Sequence, residues 1–390
     1  MPDFDTVAAS AAQVAPGAIE LRRDLHRHPE VGWTERRTTY EIARHLKALG
    51  VVPRVRPDGT GLVAEIGEGE PIVGFRADID ALPLHEANDV PYRSQNEGVM
   101  HACGHDVHTA IGVGIASVLS TMDDLGGTVR FIFQPAEELL PGGAVTLADE
   151  GVHRDLSAIV AYHVDPSLEP GRLGLRVGAI TSASDRMVVR LHGPGGHTSR
   201  PHQTVDLVHV AARVVIDLPA RLRAAIDPRH AVVPVFGSIA GGRAANVIPT
   251  DVELVGTIRS LDTDLWRRLP KLTERLCADI VTPLGATFEL DYQQGSPPVV
   301  NDADVVAAIG DVATGLLGSD AVHETHQSLG SEDFSWYLES VPGAMIRLGV
   351  ARADRTVDLH SASFDIDESA IETGIAVGAA ALLRLLDRPR

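Results

Sequence analysis

The chain has 390 residues, 44% of them hydrophobic, with 34 Lys plus Arg against 53 Asp plus Glu and a formal charge of −19. That length supports a large packed core and more than one domain. An acidic balance with no basic tract argues against a nucleic-acid or anionic-membrane partner, and the apolar stretches around 110–119 and 374–383 are too short to span a bilayer. The opening MPDFDTVAAS lacks the basic segment and apolar run of a secretory signal, so a cytoplasmic protein is expected.

Residues 35–49, ERRTTYEIARHLKAL, predict a helix with Ile42, Leu46 and Leu49 on one face and Gly50 closing it. GLVAEIG and PIVGFRAD predict strands, the second apolar enough for the middle of a sheet. A helix after Asp106, strand TVRFIFQ, a helix near 142–150 and strand AIVAYHV follow, an alternation that argues for an α/β layer. Near residue 183 the order changes. Strand SDRMVVRLHG, helix QTVDLVHVAARVVIDLPARL, strands HAVVPVFGSI and DVELVGTIRS, helix DLWRRLPKLTERLCADIV and strand ATFELDYQQG make β-α-β-β-α-β. Helices near 302–315 and over 331–339, a strand at 344–350 and a helix from 367 complete the chain. The predicted organisation is a large α/β domain, 1–182 and 296–390, interrupted by a smaller α+β domain at 183–295. One continuous sheet with irregular connections is the alternative.

Two cysteines do not make a disulfide framework. Cys277, in the amphipathic pattern KLTERLCADI, reads as a small buried apolar group. Cys103 instead sits in HACGHDVHTA, beside His105 and His108, where a thiol is a nucleophile or a soft metal ligand. Further polar stretches fall at or near strand ends: FRADIDALP, FQPAEE, AYHVDP and, before the last helix, VDLHSASFD. Ligands of open parallel sheets gather at such ends. Singly, each has an ordinary reading: acidic residues suit a helix amino terminus, and His163 suits a bonded core imidazole. Together, one thiolate, one carboxylate and three imidazoles (Cys103, one of Glu137 and Glu138, His105, His163, His360) suit zinc, manganese or cobalt better than calcium. Five ligands exceed the usual four around one zinc, so two metals sharing a water or ligand fit better, with the spare glutamate free to accept a proton.

DLHRHPEVGWTE, GFRADIDALP, MHACGHDVHTA, FQPAEE, GPGGHTSRPH, AANVIP and SEDFSWY, in that order, resemble the motifs of the M20 metallopeptidase superfamily, in its amidohydrolase branch of N-acyl-amino-acid, hippurate and auxin-conjugate hydrolases. The resemblance runs from about residue 20 to 385. It implies a zinc-peptidase-like catalytic domain with an inserted ferredoxin-like satellite domain that serves as a lid and as the contact of a homodimer. It implies two divalent ions per subunit (Zn, Mn or Co) held by Cys103, His105, Glu138, His163 and His360, with Glu137 as general base and acid. The superfamily's HxD is Asp78-Ile79-Asp80 here, a departure that fits the amidohydrolase branch and leaves Asp80 to orient a ligand imidazole. Asp78, Asp106 and His108 either do similar work or hold the loop. His197 is expected to polarise the scissile carbonyl, and Asn246 and Arg259 to contact a substrate carboxylate. Without those roles His197 precedes a helix, Asn246 is a turn residue and Arg259 a surface charge.

The expected reaction is hydrolysis of the amide of a small N-acyl amino acid or related conjugate by a water shared between the metals. A dipeptidase or a specialised non-peptide amide hydrolase of the same mechanism is the near alternative. Two rivals differ in kind. A cysteine hydrolase would use Cys103 with His105 or His108 as base, surviving chelation but not alkylation. A metal-bound scaffold would need ligands but no spare base.

Overall fold

A computed structural model describes residues 4–387. The chain forms two compact units, one of residues up to Ile180, Val300–His326 and those from Asp333 on, the other of Thr181–Val299 and Gln327–Glu332.

The first unit is built on an eight-stranded mixed sheet, in the order Arg54–Val55, Leu62–Gly67, Thr128–Gln134, Ile72–Asp78, Ala158–Asp165, Gly343–Gly349, Leu173–Leu175, Val322–Glu324. Its four middle strands, from Thr128–Gln134 to Gly343–Gly349, are mutually parallel. Every residue of Thr128–Gln134 and Gly343–Gly349 is buried, as in strands covered on both faces, with Arg130, Gln134 and Arg347 the buried polar residues of otherwise largely apolar runs. Helices Phe4–Arg27, His105–Leu119 and Ala370–Leu386 pack on one another. Small residues let them approach: a Cβ on Gly114 would lie 2.4 Å from Ile375 Cδ1.

Two expectations are revised. Phe4–Arg27, to which the sequence reading assigned no element, is a 24-residue helix. It buries Val7, Ala11, Ala15, Ala18, Leu21 and Leu25, a helical spacing muted by alanine and by Pro16. The helix expected over 331–339 shrinks to Ser335–Leu338. Asp333 is turned inward instead, accepting hydrogen bonds from Arg76 Nη2 at 2.7 Å and Gln134 Nε2 at 2.9 Å.

In the second unit, strands Ala183–His192, Val232–Gly241, Asp251–Ser260 and Thr287–Gln293 form an antiparallel sheet, with Asp251–Ser260 and Ala183–His192 in the middle and Val232–Gly241 at one edge. Burial alternates along Asp251–Ser260, the mark of a sheet with one covered face. Helices Leu207–Ala225 and Thr263–Val281 cover it, with the side chains of Asp206 and Asp262 accepting from their first-turn amides. Cys277 is fully buried in this core. Among the described residues no helix is long and apolar enough to cross a membrane.

Candidate metal centre

The parallel strands deliver polar residues at their carboxyl ends. Ile72–Asp78 ends in Asp78 and leads to Asp80, and His163 lies near the end of Ala158–Asp165. After Gln134 the chain turns through Ala136, whose φ is 53°, into Glu137 and Glu138. Gly104, at φ 83°, starts helix His105–Leu119, and a Cβ there would sit 2.6 Å from Val164 Cγ2. Only glycine meets both demands. His360, at φ 60°, donates its backbone N–H to the Ala102 carbonyl at 2.8 Å, which ties its loop to that of Cys103.

These segments bring Cys103, His105, Glu137, Glu138, His163 and His360 together. Cys103 Sγ lies 3.3 Å from His360 Nε2 and 3.7 Å from His163 Nε2. Glu138 Oε1 is 3.0 Å from His360 Nε2, and His105 Nε2 is 3.8 Å from Glu137 Oε2. Ligand atoms of Cys103, Glu138 and His360 fall within 4.8 Å of one another, as do those of His105, Glu137 and Glu138, so Glu138 belongs to both groups.

Two atoms show what the cluster lacks. His105 Nε2 and Glu138 Oε1 are buried without a hydrogen-bond partner; the 3.0 Å approach of His360 to Glu138 is not aligned as a hydrogen bond. Buried polar atoms are rarely left so. The imidazoles are oriented from behind. His163 donates Nδ1–H to the Val164 carbonyl at 2.8 Å, and His105 donates Nδ1–H to Asp80, at 2.9 Å from its carbonyl and 3.2 Å from Oδ1. Each Nε2 is thereby turned toward the cluster, as in metal-bound histidines. Asp80 Oδ2 also accepts the Glu138 amide at 3.0 Å. The donor set fits divalent ions, one or two of them.

The charges agree. Burial pushes the Cys103 thiol up to about 12. Burial, with Arg347 next, holds His163 well below the usual imidazole range. Burial also opposes charge on His105, yet Asp78 and then Cys103 raise it well above that range. Of these groups only His105 is drawn toward its charged form; a divalent ion bound among them would supply positive charge, and Cys103 would hold it as thiolate. A buried thiol of raised pKa is a poor nucleophile, which counts against the cysteine-hydrolase rival.

The neighbours divide. His108 uses both nitrogens, donating from Nδ1 to Asp78 Oδ1 at 2.6 Å and accepting the Val164 amide on Nε2 at 3.0 Å. It fastens two strand ends and offers no free ligand atom. Asp106 takes Arg22 Nε and His26 Nδ1, each at 2.8 Å, in a buried cluster with Asp365. Nothing in the sequence marks the roles of Arg22 and Glu35, although Glu35 closes DLHRHPEVGWTE, because their partners lie 84 and 101 residues away.

Residues 74–384 match the model of peptidase family M20/M25/M40. The chain belongs to that family. An N-acyl-L-amino acid amidohydrolase of Geobacillus stearothermophilus is 38% identical over 292 residues, covering 74% of this M20 chain and 79% of that protein. A dinuclear metal-binding M20 peptidase from Bacillus subtilis has a crystal structure with a TM-score of 0.85 and 32% identity, covering 96% of this chain and 99% of that one. A Rhodococcus jostii protein named as a glutamate–cysteine ligase is 46% identical over 373 residues; these are 95% of this chain, which spans only 47% of that protein's length. The M20 chain matches the family's amidohydrolase branch and is a hydrolase with a metal-binding site.

The M20 chain's other expected site residues lie in the second unit. His197, exposed, stands on a two-residue strand paired with Val247, and its Nδ1 accepts the Ser199 amide at 3.1 Å, which leaves the proton on Nε2. Beside it, the Asn246 carbonyl accepts Thr198 N at 3.2 Å. Arg259 donates from Nη1 to the Leu329 carbonyl.

Proposed function

We propose that the protein hydrolyses the amide bond of N-acyl amino acids or related conjugates, with two divalent ions held by Cys103, His105, Glu138, His163 and His360. The observation that carries this is the convergence of His105 Nε2 and Glu138 Oε1, both buried without a hydrogen bond, with Cys103 and His360, while a second carboxylate, Glu137, stands 3.8 Å from His105. When bound, such ions lower the pKa of water and polarise a carbonyl. Glu137 takes the proton of the attacking water and passes it to the departing nitrogen. Asp80 holds the His105 ring and the Glu138 backbone, so neither turns as that proton moves. His197 donates from Nε2 to the carbonyl oxygen as charge grows there, and Asn246 and Arg259 hold the substrate's carboxylate. The names of the Geobacillus amidohydrolase and the dinuclear Bacillus peptidase support the substrate class and the ion count. The Rhodococcus ligase name belongs to a protein this chain matches over less than half its length and adds nothing to this reading.

We also read the second unit as ferredoxin-like, from its βαββαβ order, and as the contact of a homodimer. Its edge strand Val232–Gly241 exposes Val235 and Ile239.

The test is amine release from a panel of N-acyl amino acids with added Zn, Mn or Co, and with chelator. Turnover that needs metal and resists thiol alkylation is expected. Turnover that survives full metal removal would overturn the reading.

A further inference from the structure

The motif DLHRHPEVGWTE ends in a glutamate that takes no part in the reaction above. Glu35 is fully buried at the start of helix Arg36–Ala48, where its carbonyl accepts Thr39 N at 3.0 Å. Its side chain points across to the other acidic motif. Oε1 accepts the backbone N–H of Ala136 at 2.8 Å, and Oε2 is buried with no partner. Ala136 is the residue just before Glu137 and Glu138. Its φ of 53° is one that residues other than glycine seldom adopt. Two more contacts grip the same residue. Its carbonyl accepts Gly143 N at 3.0 Å, and Gly32 lies so close beneath it that a Cβ there would be 3.1 Å from Ala136 Cα.

An αL alanine between Pro135 and two glutamates sets where both carboxylates go. If Ala136 relaxed to an extended or right-handed conformation, Glu137 and Glu138 would leave the cluster together. A carboxyl accepting the Ala136 amide opposes that rotation, because the amide would otherwise be buried without an acceptor.

We propose that Glu35 is a positioning residue of the hydrolytic site: its carboxyl oxygen clamps the Ala136 amide and so holds Glu137 and Glu138 toward the metals and the attacking water. The inference rests on the hydrolase reading for the roles of those glutamates. Burial, with Asp80 contributing, pushes the Glu35 carboxyl up to about 7, against the Ala136 amide, which favours its ionised form; the clamp accepts an N–H that a neutral amide oxygen can accept as well. What it needs is reach.

That separates the variants. Glu35→Gln keeps an acceptor at the same distance without charge; Glu35→Asp keeps charge on a stem one methylene too short; Glu35→Ala removes both. Three readouts apply: zinc affinity by competition with a chromophoric chelator, kcat and KM on the best substrate, and hydrogen exchange of the amides of residues 136–139 in the metal-free protein. Glu35→Gln is expected to stay within about threefold of the parent in zinc affinity and kcat. Glu35→Asp and Glu35→Ala are expected to lose about 10–100-fold in both, with faster exchange confined to 136–139. Adding Ala136→Gly to Glu35→Ala makes αL easy again and should slow that exchange and recover part of the zinc affinity. The proposal is overturned if Glu35→Asp outperforms Glu35→Gln, or if 136–139 exchange alike in the parent, Glu35→Asp and Glu35→Ala. The Gln–Asp comparison decides even if Glu35→Ala does not fold. Exchange is read without substrate or metal, so a parent that hydrolyses nothing sinks the activity assignment and leaves the clamp to be judged by exchange alone.

Discussion

Arg22→Met removes a buried guanidinium that joins three acidic side chains, one of them beside the proposed ligand His105. Arg22 is fully buried; Nε donates to Asp106 Oδ2 at 2.8 Å, Nη2 to Asp365 Oδ1 at 3.1 Å and Nη1 to Glu368 Oε1 at 3.3 Å. Asp106 belongs to the helix that His105 begins, and Asp365 to the segment that follows His360. Methionine keeps most of the apolar stem and leaves the acids without their shared cation. Breaking a buried ion pair by deleting one partner costs about 3–5 kcal/mol. Asp106 would retain His26 Nδ1 at 2.8 Å, and Asp365 would retain Tyr92 and Arg352, at 3.0 and 2.8 Å. The expected loss is therefore at the low end, about 3 kcal/mol at neutral pH. The pH dependence has a definite sign. Burial pushes the Asp106 carboxyl up, but Arg22 and then His26 outweigh it and hold it far below the usual carboxylate range. A carboxyl lowered on folding contributes stability that is complete above its unfolded value, about 4, and is lost as pH falls through its folded value. The difference between parent and variant should be full near pH 7 and shrink below about pH 4. Urea unfolding of the metal-free proteins across that range measures it. A loss under about 1 kcal/mol near pH 7, or one that grows as pH falls, would refute the reasoning.

Glu137→Gln should bind zinc about as the parent does while kcat falls by about 10²–10⁴, the span of a lost general base; His163→Ala should lower zinc affinity too, and calorimetric titration with steady-state kinetics distinguishes them. Gly104→Ala meets both an αL backbone and a 2.6 Å approach to Val164, so it should lower the thermal midpoint and zinc affinity together, by about 1–2 kcal/mol of stability from the backbone alone. In the folded, metal-free protein both thiols are buried and pushed up to about 12, so mass spectrometry after brief alkylation near neutral pH should find neither Cys103 nor Cys277 modified.

The strands were legible because their signal is local. TVRFIFQ and AIVAYHV are apolar runs flanked by turns, and the polar residues after them fall where an α/β sheet gathers its ligands. The helix Phe4–Arg27 was not, because alanines at core positions weaken the contrast between its faces. At the centre, Cys103, His105, Glu138, His163 and His360 stand out as residue types that need a reason. Their supports do not. Arg22 and Glu35 look like surface charges until the fold carries them 84 and 101 residues along the chain to Asp106 and Ala136. His108 shows the converse. The sequence leaves open whether it orients a ligand or holds its loop, and the fold shows both nitrogens engaged, by Asp78 and the Val164 amide.

The most direct test of the centre is anomalous diffraction from crystals grown with manganese or zinc. Two peaks are predicted, both within bonding distance of atoms from Cys103, His105, Glu138, His163 and His360, with the Glu137 carboxylate facing them but bonded to neither. An absence of ions there under saturating metal, or Glu137 itself bound as a ligand, would contradict the account.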